Sequence, residues 1–478
     1  MNKHFSKLAL VSFGVATTLF LSGCTMGPDY QSTETELSEE WISSFPSEAE
    51  LTRELQQWWQ QYQDPNLNAL VERALTDNLS LQVQLARIEQ ARAELGFENA
   101  NRWPLLSAQA SAAREQQPET LMPTALGGGT PRNQFSVAGV LSYEVDLWGR
   151  LARQREAAGA MLAESMFGTE AVKLNLVADV VTTYFNLLAI EQQYAALNSN
   201  IASLEQTLEL EQLRYNSGST NVLNLRRAEA AVAAAKANVP DLREARQLAR
   251  SALAILVGAT PEELLQGFNT DHGKLTELQL PQELPAHTPS ELLQRRPDVR
   301  AAEASLIAAN ARIGVAQAAR FPSLNLMALG GSAAMTTGDL FSAASETWSV
   351  GADLAGPLFD FGRLARRVES AKAQREQAEI GYQQAILAAV RDASDAIALL
   401  HIAEERSVAV QAQYDAIADT YRLAEMQYDL GAIGFYELLA SQRELINAEL
   451  ALTTAKRDHF AAYTNVFKAF GGGWAANE

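Results

Sequence analysis

Apolar and polar residues along this chain follow two periods, one after the other, and the pair occurs twice. From Phe135 to Leu147 the apolar positions alternate (Phe135, Val137, Leu141, Tyr143, Val145, Leu147), the period of a strand with one oily face. Past Gly149 the composition turns to Ala, Arg, Gln and Glu, which favour helix. The same switch returns from Trp348 to Arg366 at an offset of 213 residues, with Ser136, Val137, Leu141 and the run Gly149, Arg150, Leu151, Ala152, Arg153 all recurring. The pattern predicts a strand that runs straight into a long helix, made twice by internal duplication.

The helix after Gly149 is expected to reach about Asn216. Steps of four and three carry its seam through Leu176, Val180, Leu187, Leu197, Ile201, Leu204, Leu208, Glu211 and Tyr215, and the copy repeats the far part from Val410 through Tyr414 and Tyr421 to Tyr428. Sustained spacing of this kind predicts coiled-coil packing. About 66 residues at about 1.5 Å each reach roughly 100 Å. Gly218 and Gly431 are expected to end these helices as left-handed caps, with return helices over about Thr220–Val257 and Gly434–Lys468. An earlier helix opens at Asp64 and Pro65 and runs to about Asn101, where Arg102, Trp103, Pro104 stop it; the same ending returns as Arg320, Phe321, Pro322. Weak strands follow each proline, over Leu105–Arg114 and Ser323–Met335, so each half offers two strands and the chain four. The expected division is 24–65 as an N-terminal extension wrapping the body, 66–257 as the first repeat, 258–290 as a Pro- and Gly-broken linker, 291–470 as the second repeat and 471–478 as a tail.

The alternation places Phe135, Val137, Leu141, Tyr143, Val145 and Leu147 opposite Ser136, Ser142, Glu144 and Asp146. In the copy, Trp348, Val350, Ala352, Leu354 and Leu358 oppose Ser349 and Asp353. One oily and one carboxylate-bearing face suit a barrel wall between lipid and a water-filled lumen, and alternation alone suits an edge hairpin of a soluble sheet equally well. After the N-terminal region no run of about twenty uninterrupted apolar residues occurs, so membrane crossing would need a closed barrel. Four strands cannot close one; that reading requires an oligomer.

Residues 1–23 have the form of an export signal: Lys3 and Lys7 precede the apolar run Leu8–Leu21. The run ends in Leu21, Ser22, Gly23, Cys24, which resembles a bacterial lipoprotein signal, in which the cysteine carries covalent lipid and becomes the mature N-terminus. Cys24 is the single cysteine of the chain, which rules out an intrachain disulfide. Thr25 in place of Asp implies, by the same resemblance, sorting to the outer membrane. The net charge of -19 with no basic cluster argues against nucleic acid.

Catalytic chemistry finds little footing. The five histidines, His4, His272, His287, His401 and His459, never pair at metal-ligand spacing, Gly127–Gly129 lacks the lysine of a phosphate loop, and no Ser, His and Asp set stands out. We expect no enzyme, no metal and no cofactor beyond the lipid on Cys24. The turns Tyr215–Leu225 and Tyr428–Leu438 match each other, and Asp429 and Glu437 lie beside the second. In a symmetric oligomer one acidic residue per chain becomes a ring that selects cations.

Taken together, Gly27, Pro28, Asp29, Tyr30; Trp58, Trp59, Asp64, Pro65; Arg295 to Glu303; Phe321, Pro322, Ser323; and Tyr428 to Arg443 make the chain similar to the outer membrane efflux proteins, the TolC-like outer membrane factors, in their lipoprotein branch. The resemblance implies a mostly α trimeric α/β-barrel duct in the outer membrane: a barrel to which each chain gives four strands, and a periplasmic helical barrel closed at its tip. It implies a homotrimer working with a periplasmic adaptor protein and an inner membrane transporter as the exit duct of a tripartite efflux pump. It also places Tyr428 in the closing network, Glu437, with Asp429 beside it, at the acidic tip, and the adaptor near Gly218 and Gly431. Ala440 departs from the family's usual Asp. The competing reading is a periplasmic coiled-coil scaffold or adaptor lipoprotein without a barrel.

Overall fold

The computed structural model describes residues 25–31, 57–116, 118, 120, 129–263, 275, 278, 280 and 296–472. The expected signal (1–23), Cys24 and most of the linker lie outside the described residues. The elements are α1 (Pro65–Asp77), α2 (Leu79–Ala100), β1 (Leu105–Glu115), β2 (Arg132–Val145), α3 (Arg150–Asn216), α4 (Val222–Ala237), α5 (Val239–Leu256), α6 (Pro297–Ala318), β3 (Ser323–Ala334), β4 (Glu346–Ala355), α7 (Arg363–Asp429) and α8 (Phe435–Ala469). The chain forms two compact units. One comprises residues up to Glu34 with Arg87–Met166 and Ala301–Gln383, the other Thr35–Ala86, Phe167–Arg300 and Gln384–Glu478.

The first unit holds a single antiparallel sheet in the order β1-β2-β3-β4. Its register sorts side chains by parity. Val137 faces Ala110 on one side and Ser332 on the other, Leu141 faces Leu106 and Ala328, and Ala328 faces Val350. One face is therefore mainly apolar across all four strands, from Leu106 through Phe135, Val137, Leu141, Leu324 and Leu326 to Trp348, Val350 and Leu354, with Arg114, Asn133, Ser332 and Glu346 as polar exceptions toward one end. It stays in the open: Leu106 is 72%, Trp348 76% and Val350 76% exposed. The opposite face carries Ser107, Gln109, Ser111, Ser136, Ser142, Glu144, Asn325, Ser349 and Asp353, with Leu105, Val140, Met327 and Leu329 as apolar exceptions. The outer edges of β1 and β4 have no ladder partner among the described residues.

Strand ends depart from expectation. β4 stops at Ala355 because Gly356 packs so close to Pro322 that a Cβ would lie 2.7 Å from its Cα, and Pro357 has no N–H to continue a ladder. Leu147 and Leu358 thus lie beyond the strands rather than on the oily face. Asp146, expected on the polar face, caps α3 instead: its carboxylate accepts from the backbone N–H of Leu151 at 3.1 Å and Ala152 at 2.8 Å. Asp360 does the same for α7, accepting from Gly362 at 3.0 Å and Leu364 at 2.8 Å. Between cap and helix stand Gly149 and Gly362, with φ of +73° and +83°.

α3 and α7 are each 67 residues, with ends offset by the same 213 positions as the sequence repeat. In the second unit α3 packs its seam into the core, where Leu176, Val180, Leu187, Leu197, Ile201 and Leu204 are buried; Tyr215, the last seam position, is exposed. α3 contains the one described helical window with the length and hydropathy of a membrane span, and 61% of that window is buried.

Two helices expected as continuous are broken. The first breaks at Asn78, whose side chain accepts from Leu81 N–H at 2.9 Å and donates to the Leu256 carbonyl at 2.9 Å, so it starts α2 while holding the end of α5. The return helix breaks at Asn238, two residues before Pro240, which offers no N–H.

Trp58, Trp59, Tyr62 and Asp64, expected as part of the wrapping extension, are buried in the second unit. Trp58 stacks on Phe467 at 5.0 Å, and the Tyr62 hydroxyl pairs with Thr464 at 3.0 Å. Asp64 caps α1 through Asn66 N–H at 2.8 Å and accepts from the Tyr184 hydroxyl at 2.6 Å. In the Arg295 to Glu303 stretch, buried Arg296 donates to the Ala469 carbonyl at 3.0 Å, holding the end of α8, and pairs with Asp298 at 2.7 Å and Asp392 at 3.3 Å.

Candidate functional site

Both tip turns close with the same hydrogen-bond pair. Ser219 N–H reaches back to the Arg214 carbonyl at 2.8 Å and Gly218 N–H to that of Tyr215 at 3.0 Å. Ala432 and Gly431 repeat this on Gln427 at 2.8 Å and Tyr428 at 2.9 Å. The motif requires a left-handed residue after the helix, and Gly218 and Gly431 supply it with φ of +75° and +74°.

A carboxylate sits where the seam should be apolar. Glu211 is 1% exposed and collects three donors: the Tyr428 hydroxyl at 2.5 Å, Arg214 at 3.1 Å and the Thr220 hydroxyl at 3.2 Å. Arg214 also donates to the Tyr428 oxygen, and its guanidinium lies 5.1 Å from the centre of that ring. Burial first, then the adjacent Glu211 carboxylate, pushes the Tyr428 phenol well above its ordinary range, so it remains a protonated donor at neutral pH. Phe435, the first residue of α8, packs its ring 5.9 Å from Tyr428. The network therefore ties the end of α3 to the end of α7, one from each repeat.

Of the residues singled out from sequence, Tyr428 lies in this network, while Asp429 and Glu437 are exposed and outside it. Glu437 stands in the first turn of α8, where a carboxylate suits the positive end of a helix. Glu211 and Arg214 carry the network, yet sequence reasoning did not single them out as a site. The available signal was an acidic residue at a seam position, with an arginine three residues on along the same helix. Among the described residues no group of His, Cys, Asp and Glu could hold a metal.

An exposed apolar band crosses the four strands, and the outer edges of the sheet have no ladder partner among the described residues. The family model described as Outer membrane efflux protein matches residues 70–259 and 288–472. The chain belongs to the outer membrane efflux protein family. This efflux protein is 31% identical to the probable efflux pump outer membrane protein TtgC of Pseudomonas putida, over 99% of the chain and 96% of that protein. It is 29% identical to the probable outer membrane lipoprotein SilC of Salmonella typhimurium, over 98% of the chain and 99% of that protein. The crystal structure of the Campylobacter jejuni CmeC outer membrane channel superposes with a TM-score of 0.87 at 25% identity, covering 95% of this chain and 96% of that one.

Proposed function

We propose that this efflux protein is the passive exit duct of a tripartite pump, a homotrimer anchored in the outer membrane by lipid on Cys24. The single observation that carries this reading is the apolar face continuous over all four strands, open at both edges. A sheet satisfies every backbone group in lipid only when closed into a barrel, so the edges must be paired by further copies. Three copies of a four-stranded sheet supply twelve strands, enough for a lumen. A periplasmic scaffold without a barrel would not expose such a band.

The tip network is the closure of the duct in this reading. Tyr428 and Arg214, gathered on Glu211, hold α3 and α7 together, while Glu437, with Asp429 near it, forms the ring that meets permeating ions. Gly218 and Gly431 mark the turns that face the periplasmic adaptor, and the energised inner membrane transporter selects the cargo. The duct itself performs no chemistry.

The direct test is purification in detergent followed by planar-bilayer recording. Trimers with heat-modifiable migration and cation-selective channels are expected, and a monomer that never inserts would sink the proposal. Glu437→Ala should raise conductance or cation leak. Cys24→Ala should abolish palmitate labelling, and label that persists would refute the anchor.

A further inference from the structure

The duplicated Gly-Arg-Leu-Ala-Arg motif is used in two different ways. At the β2–α3 junction, residues 25–31 pack against α3 and against α6 of the second repeat. Met26 N–H donates to the Trp148 carbonyl at 3.0 Å, and buried Arg153 donates to the Met26 carbonyl at 3.1 Å and to Asp29 at 2.5 Å. Asn310, also buried, donates to the Pro28 carbonyl at 2.8 Å. The seat has no room for side chains: a Cβ on Gly27, whose φ is +99°, would fall 2.5 Å from the Gly314 Cα, and one on Gly314 would fall 2.6 Å from the Met26 oxygen. At the β4–α7 junction the matching positions do none of this. Gly362 faces open space, as does Gly96 of α2, 218 positions before Gly314, and the Arg366 side chain is 80% exposed, paired with Glu369 on its own helix.

The asymmetry has a direction. Thr25, one peptide bond after Cys24, packs against Gly149, the residue where β2 becomes α3. We propose that this groove is a lock that holds the lipid-bearing N-terminus at the sheet–helix junction of the first repeat, and that Arg153 is the positioning residue coupling the anchor to membrane insertion of the sheet. A lipid on a loose tether would leave the apolar band free to sit at any height. A lipid held at the junction sets the edge of that band against the bilayer surface.

The proposal rests on acylation of Cys24, and the experiment separates the two. Arg153→Ala is made in the natural chain and in a Cys24→Ala chain exported by a cleavable signal without lipid. Palmitate label and the fraction recovered as heat-modifiable trimers in outer membranes are measured for each. With acylated protein, Arg153→Ala should keep its label and lose trimer several-fold. In the Cys24→Ala background it should cause little further loss, because there is no anchor left to position. The same fold-loss in both backgrounds would overturn the coupling and leave Arg153 a purely structural residue. Absence of label on the natural chain would overturn the anchor, and the coupling with it. Asp29→Asn, which removes one partner of Arg153 at a surface carboxylate, should show the same background dependence in milder form and guards against a chain that fails to fold. Arg366→Ala, the pseudo-equivalent change, should leave both readouts unchanged.

Discussion

At the scale of single residues, the hydrogen bonds that tie α3 to α7 at the tip, the closure proposed above, converge on one buried carboxylate. Glu211 is buried at the end of a seam that carries Leu208 and Leu204 one and two turns back, and its charge is met by Arg214 and by hydroxyl donors from Tyr428 and Thr220. A buried charge that loses a donor costs more than the hydrogen bond was worth, about 1–3 kcal/mol. Tyr428→Phe keeps the ring on Phe435 and removes only the hydroxyl, the donor to Glu211 and acceptor from Arg214, so it should loosen the tip without unfolding the helices. Single-channel recording should show higher conductance or more frequent opening, and an unchanged trace would remove Tyr428 from the gate. Glu211→Gln keeps the shape and removes the charge, leaving Arg214 without its counter-ion; its effect should be at least as large.

At the scale of elements, the sheet has two faces with different solvents. Leu141 and Ser142 are neighbours on β2 that point to opposite sides, against Leu106 and Leu105 respectively. Leu141→Arg would place a charge on the apolar face, at a cost of about 2–4 kcal/mol near the bilayer midplane, whereas Ser142→Arg faces the polar side. The first should sharply lower the yield of membrane-inserted trimer and the second should leave it nearly unchanged. Equal losses would mean that the faces are wrongly assigned. The tip turns offer a parallel test, since Gly218→Val puts a β-branched residue at φ +75°. Strain of about 1–2 kcal/mol should speed hydrogen exchange at the end of α3 and the start of α4 while the sheet stays protected.

At the scale of the whole molecule, the two repeats must act alike where they share a ring and differ where one chain meets its own N-terminus. The equal lengths of α3 and α7 meet the first demand, and the lock around Arg153 meets the second. If β1 of one copy pairs with β4 of the next, a chain carrying one cysteine on each outer strand, as in Ala110→Cys with Val350→Cys, should form covalent dimers and trimers under oxidising conditions. Either change alone should give no such ladder, and its absence from every pair tried along the two edges would count against closure by this route. Much of this arrangement was legible beforehand. Period-two alternation in Phe135 to Val145, the seam from Leu176 to Leu204 and the glycines at 218 and 431 are local signals, and each reports a local backbone preference. The tip network was less legible, because Tyr428 and Glu211 are 217 positions apart and only packing brings them together.

By itself the sequence determined the duplication, the strand-to-helix switch, the lengths of the long helices and the caps that end them, since period and turn chemistry act over a few residues and leave their mark in order along the chain. Tertiary structure alone decided which sheet–helix junction receives the N-terminal segment, which acidic residue is buried at the tip and the break at Asn78. Those outcomes depend on neighbours far away in sequence: Arg153 and Arg366 sit in the same five-residue motif, and only the chain that lies against one of them makes it different.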